Sequence, residues 1–254
     1  MTGDQKRQAA LADIRRNIAE HGHHTYIVTG GACPRYGYTI GLTESHGAEL
    51  VMAGAYFYRF EEFGQIISRI VRNLRSRAEW ETCKLDFGVW GRFSLRNVDV
   101  KWISSLMLGA TDFYRGKTLK AYQIVPDEVH RTIEIPDLSE PWNPKSGPAW
   151  RWLFEDWTYP IPRKSVAITN LGALRGERIT EAARWEDDEW ELFSGPVPDI
   201  PEDERRIAPI GVLLAADESL QPVVNLPIGG ALWRNGTSEW HPWGKGRTLA
   251  DPQR

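Results

Sequence analysis

His21, His23 and His24, in the segment HGHHTY, form the densest group of nitrogen donors in the chain. With His46 or Cys33 they would supply three or four ligands to a zinc ion if the fold brought them together. His21 also stands where a helix should end, and there an imidazolium is favoured by the unpaired carbonyls alone. Alternate residues of an entering strand have no need to converge, so no metal site is expected. A second constellation places His46 between Glu44 and Glu49 in TESHGAE, the ingredients of general acid–base work in a cleft. Against it, Ser45-His46-Gly47 reads as a turn between two strands, where local backbone N–H groups can satisfy both carboxylates. Cys33, between Ala32 and Pro34, is a candidate nucleophile, although a free cysteine more often packs as a small hydrophobe.

Two charged patterns suggest binding rather than chemistry. Arg69, Arg72, Arg75 and Arg77 recur along one side of a helical pattern, and guanidinium forks match oxyanions. Together with Tyr38 and Thr39, Arg72 is the candidate for holding an anionic ligand near the Tyr38–Glu49 turn. The acidic segment WEDDEWE joins aromatic anchors to charge, the composition of a docking surface. Its candidate contact residues are Trp185, Asp187, Asp188, Glu189 and Trp190. The phosphate loop GxxxxGK[ST], GxGxxG, the nucleophile elbow GxSxG, HExxH and paired CxxC are all absent, which removes the strongly encoded enzyme classes. The chain therefore leans away from catalysis, and no cofactor is expected.

The elements that would position these residues follow from periodicity. Ala9, Leu11, Ile14 and Ile18 share one face of a helix over Lys6 to Glu20, with Gly22 as its C-terminal cap. Strands are expected at Thr25 to Thr29, Tyr36 to Leu42 and Glu49 to Ala55, and Phe60, Phe63, Ile67, Ile70 and Leu74 mark a second helix running to about Arg77. Further strands are read at Gly88 to Leu95, Val98 to Ile103 and Leu119 to Val125. Later in the chain, Ser165 to Thr169, Ile179 to Trp185 and Glu189 to Phe193 read as strands, the last two flanking Glu186-Asp187-Asp188. Ile207 to Ala216 suggests a short helix. The expected class is α+β, two modules each with a mostly antiparallel sheet and packed helices. The expected boundaries are 1–140, an ordered Pro/Trp-rich connector at 141–164, a small β-rich module at 165–245 and a flexible tail at 246–254.

The 254 residues carry 31 Lys and Arg against 34 Asp and Glu, a net charge of −3 that lacks the broad positive field of nonspecific nucleic-acid binding. The charge is uneven. Residues 1–140 hold 18 basic and 17 acidic side chains, the remainder 13 and 17, and nine of the twelve tryptophans lie in that remainder. The longest nearly apolar run, Leu50 to Tyr58, is far short of the roughly 20 residues of a membrane span. The opening residues form no apolar signal segment and the two cysteines no disulfide framework, so a reducing cytoplasm is the expected setting.

At YGYTIGL and GAELVMAG the first module resembles the bacterial family called domain of unknown function 4262. The matching positions are His21-Gly22, Tyr38-Thr39-Ile40-Gly41-Leu42 and Glu49-Leu50-Val51, and the likeness ends near Gln123-Ile124-Val125-Pro126-Asp127. That resemblance brings no activity with it. The Tyr-Thr-x-Gly-Leu and Glu-Leu pattern is also similar to suppressor-of-fused-like domains, which in bacteria are associated with immunity to polymorphic toxins. The second module resembles the small immunity-type domains grouped as domain of unknown function 2185. Its Ile168-Thr169, Trp190-Glu191-Leu192-Phe193 and Pro227 to Arg234 carry the likeness. These resemblances imply a cytoplasmic protein that binds a protein partner, in the concrete case a toxin neutralised by occlusion. The alternative is a small-molecule-binding protein or enzyme with its pocket at the Tyr38–Glu49 turn.

Overall fold

The computed structural model describes residues 2–74, 80–83, 85–145, 147–235 and 238–243. The chain divides into two compact units interleaved in sequence. Unit 1 comprises Met1–Thr29, Arg35–Arg131 and Ile135–Ser146; unit 2 comprises Gly30–Pro34, Thr132–Glu134 and Gly147–Arg254. The 141–164 stretch is thus shared between them. Its 3-10 turn Pro148–Leu153 sinks Trp150 and Trp152 into unit 2. The expected tail at 246–254 lies outside the described residues, as do Arg75 and Arg77. Among the described residues no helix is long and apolar enough to cross a membrane.

Unit 1 opens with α1 (Gly3–His21), started by a capping box in which Thr2 Oγ1 accepts from Gln5 N–H and Gln5 Oε1 from Thr2 N–H. Gly22 ends it at φ 80°, a left-handed conformation that costs glycine little. The chain then forms β1 (His24–Val28), β2 (Tyr36–Ile40), the one-turn helix α2 (Leu42–His46), β3 (Glu49–Ala53) and α3 (Phe60–Asn73). After these come β4 (Leu85–Asp86), β5 (Arg92–Asn97), α4 (Val100–Leu106), α5 (Leu108–Phe113) and β6 (Ala121–Pro126). The sheet order is β1-β2-β3-β6-β5-β4, parallel between β3 and β6 and antiparallel elsewhere. Central β3 and β6 are buried throughout, as a strand covered on both faces must be. One face of the sheet receives Phe63, Ile66, Ile67 and Ile70 of α3, which join Leu50, Met52, Leu95 and Ile124 in one core. Contact is close at Gly37 of β2, where an added Cβ would stand 2.9 Å from Phe63 Cε1. The opposite face is met by α5, whose Gly109 N–H donates to Tyr38 Oη at 3.0 Å.

Unit 2 holds β7 (Val166–Asn170), α6 (Leu171–Leu174), β8 (Glu181–Arg184), β9 (Glu189–Phe193), β10 (Arg205–Pro209), α7 (Ile210–Ala216), β11 (Ala231–Trp233) and β12 (His241–Pro242). Its sheet runs β10-β7-β9-β8-β11-β12, with only β7 and β9 parallel. Ala167 faces Trp190 and Ala182 faces Leu192 in register, so small residues make room for large ones on the inner face. Both units are therefore α+β with antiparallel-dominant sheets.

Two expected elements differ and a third starts late. Val98–Ile103 is not a strand, because Asp99 caps α4 by accepting from Lys101 N–H at 2.8 Å, and Trp102, Ile103 and Leu106 form a buried helical face. The short helix expected within 207–216 is present as α7, but its start is later than the segment's because β10 runs on to Pro209. Ser45 and His46 close a helical turn before Gly47, at φ 88°.

Candidate functional site

Glu49, at the start of β3, is fully buried. Its Oε1 accepts from Gly41 N–H (3.0 Å), Thr43 N–H (2.8 Å), Thr43 Oγ1 (2.8 Å) and Tyr114 Oη (2.9 Å), and its Oε2 from Thr39 Oγ1 (2.7 Å). A carboxylate so surrounded is a staple that ties β2, α2 and α5 to β3, with its acceptor sites filled. Thr39 is buried beside it, and Tyr38 is buried with its hydroxyl pushed up to about 12 by burial. Tyr114 is shifted upward as well, by burial and then by Glu49. Glu44 points the other way, to the surface, where it pairs with Lys117. His46 has its Nδ1 2.7 Å from Ser45 Oγ and its ring 6.0 Å from that of Trp80. Among the described residues the three members of the acid–base reading share no hydrogen bond or ion pair.

The histidine cluster is also divided. His21 is exposed, whereas His23 and His24 are half-buried and held below the usual imidazole range by desolvation. Among the described residues no group of three His, Cys, Asp or Glu side chains is placed to hold a metal ion. The Cys33 thiol is pushed up to about 11 by burial, opposite to what a thiolate nucleophile requires.

One oriented imidazole escaped the sequence reading. His130 Nδ1 lies 2.6 Å from Asp127 Oδ1, and Asp127 Oδ2 accepts from Arg92 N–H at 2.8 Å. Burial alone would raise the Asp127 carboxyl, but these bonds outweigh it and hold it low. The ring stacks on Tyr58 and meets Phe57 edge-on. Among the described residues no hydroxyl or thiol bonds to it. The signal was the Asp-x-x-His spacing, which Asp127 uses to cap the 3-10 turn Glu128–His130.

Arg72 lies in an open depression of about 870 Å³ between α3 and the edge strand β1. Thr25, Ile27 and Gly64 line its floor, Glu61, Gln65, Ser68, Arg69 and Asn73 its α3 side, and Trp90 also borders it. Arg69 stacks over Phe87 and Trp90, 4.8 and 5.7 Å from the ring centroids. Arg72 spends only Nε on a 3.4 Å bond to Ser68 O. Neither arginine makes an ion pair among the described residues.

The acidic turn of unit 2 is Trp185–Asp188, a hairpin connection closed by Trp185 N–H donating to Glu189 O at 3.0 Å. Arg184 braces it from within, donating to Glu186 O, Asp187 O and Asp187 Oδ1, and to Leu226 O on the neighbouring segment. Asp188 pairs with Lys164, whose ammonium holds the carboxyl low through a side-chain hydrogen bond. Trp190 departs from the expected contact set. It is 1% exposed on the inner sheet face beneath the Arg184 guanidinium and has no surface to offer. Trp185 is 42% exposed, and every other tryptophan of the chain is buried or half-buried. Glu186 and Glu189 are exposed and without an ion pair among the described residues, so the free charge of the turn lies on Glu186 and Glu189, flanking the two engaged aspartates.

No curated protein and no solved structure matches the chain. Residues 17–131, which include the Glu49 staple and Asp127 with His130, match the family model described as Domain of unknown function (DUF4262).

Proposed function

We propose that the chain is a protein-binding protein without catalytic chemistry of its own, and that the braced turn Trp185–Glu189 is its docking element. The observation that carries this reading is the exposure of a single tryptophan out of twelve, at the base of an acidic turn whose backbone is already fixed. Exposing an indole is costly in water unless a partner covers it, and tryptophan is among the strongest anchors at interfaces. A fixed turn also loses little conformational entropy on docking. Glu186 and Glu189 would steer the encounter toward a basic surface. In its finer form the reading is an immunity-type protein of a bacterial cytoplasm that neutralises a toxin by covering its active surface, as the resemblance of the second module to domain of unknown function 2185 implies. Affinity capture of the tagged chain from its native cells tests it. A stoichiometric protein partner is expected with the native chain and should be lost with Trp185→Ala and with Glu186→Lys/Glu189→Lys. Elution of the chain alone at low salt would end this reading.

A further inference from the structure

We infer that the depression between α3 and β1 on one copy of the chain receives the Trp185 turn of a second copy. The inference rests on the turn being a docking element and names one occupant for it. The two surfaces are complementary in chemistry. The turn offers an exposed indole at its base beside two carboxylates, Glu186 next in sequence and Glu189 paired across the hairpin, that have no ion pair among the described residues. The depression offers an apolar floor where Ile27 packs against Gly64, so close that an added Cβ at Gly64 would stand 3.3 Å from Ile27 Cδ1. Beside that floor stand Arg69 and Arg72, a helical turn apart and without an ion pair among the described residues, against a single lining carboxylate, Glu61. Side chains three apart on a helix are neighbours, so both guanidiniums can address one pair of carboxylates. A volume of about 870 Å³ lies in the range that holds drug-sized groups, more than one indole needs. The uneven charge of the chain favours the same pairing, since acidic excess is confined to residues 141–254.

Such a contact is heterologous, a different patch on each copy, so each molecule retains one unused turn and one unused depression. A contact of this size is weak, and because its charges are exposed it is screened by salt. Self-association would then compete with any outside partner for the turn and would yield to a tighter one.

Sedimentation equilibrium of the full chain tests this, with circular dichroism to confirm that each variant is folded. The native chain should show a mass that rises with concentration at low ionic strength and returns to that of the monomer at about 0.5 M salt. Arg72→Glu and Glu186→Lys/Glu189→Lys should each weaken association about tenfold or more, as should Trp185→Ala. Mixing the arginine variant with the glutamate variant should restore it, because the intact turn of the former fits the intact depression of the latter. A monomer at every concentration in low salt would overturn the inference. So would association that survives in both variants, or a loss that mixing fails to rescue. If turn variants lose their captured partner while the native chain stays monomeric, the proposed function stands and this inference falls. Salt-sensitive self-association with partner capture unaffected by the turn variants would give the reverse.

Discussion

With five donors on its two oxygens and no solvent beside it, Glu49 shows how a residue with the look of a catalytic carboxylate can be spent on structure. Removing it would orphan Thr43 N–H and the Tyr114 hydroxyl proton in a buried place and leave Gly41 N–H with Tyr114 Oη as its one remaining acceptor. Each such loss costs about 1–3 kcal/mol, so Glu49→Ala should lower stability by about 3 kcal/mol or more in urea unfolding. Glu49→Gln keeps the volume and one acceptor oxygen and should cost about 1–2 kcal/mol. Neither should change what Trp185 docks with, provided the variant is assayed where it is folded. Satisfaction of Glu49 by nearby backbone N–H groups could be foreseen from the Thr39–Glu49 sequence. Tyr114, 65 positions downstream, could not, because nothing local marks it as a partner. Arg234 makes the same point. It is buried between Asp217, Ser219 and Ile179 O, a set that only the sheet of unit 2 assembles.

At the junction of α1 and β1, His23 and His24 carry a pH dependence. Both have buried ring nitrogens without a partner, His23 Nδ1 and His24 Nε2, and desolvation lowers both below the value near 6.5 that they have when unfolded. Between the folded and unfolded values the unfolded chain binds more protons, so stability rises with pH in that interval. Below about 6.5 the native state should therefore lose stability as pH falls, and His23→Gln/His24→Gln should flatten the profile. Urea midpoints measured between pH 5 and 8 would check the sign; stability rising with acid would contradict it. A β carbon added at Gly37 would press on Phe63 and Ile67, so Gly37→Ala should cost about 1–3 kcal/mol and lower the thermal midpoint. Elements with a strong period were readable in the sequence: α3 from Phe63, Ile67 and Ile70, and the β8–β9 hairpin from its acidic turn. Val98–Ile103 was not, because β-branched residues at 98, 100 and 103 imitate a strand while Asp99 caps a helix.

The interleaving of the two units has a physical consequence for the whole chain. Unit 2 is completed by residues 30–34 and 132–134: Ile133 N–H donates to Leu174 O, Glu134 O accepts from Trp150 Nε1, and Ala32 O lies beside Gly211. A fragment 147–254 lacks all three and should be markedly less stable than the same region in the full chain, as judged by near-ultraviolet circular dichroism of its buried tryptophans. A fragment with full native stability would contradict this division. Composition foretold two modules, from the shift in charge and tryptophan content, but not that short segments of the first stretch complete the second. Only contacts reveal that. Nor could composition separate Trp185 from Trp190, five positions apart, since strand alternation and the length of the turn decide which of them faces water. Capture from native cells with the native chain, Trp185→Ala and Glu49→Gln run side by side tests the consequence of that difference most directly. A stoichiometric protein partner is expected with the native chain and with Glu49→Gln, and none with Trp185→Ala. A partner retained in full by Trp185→Ala would contradict it.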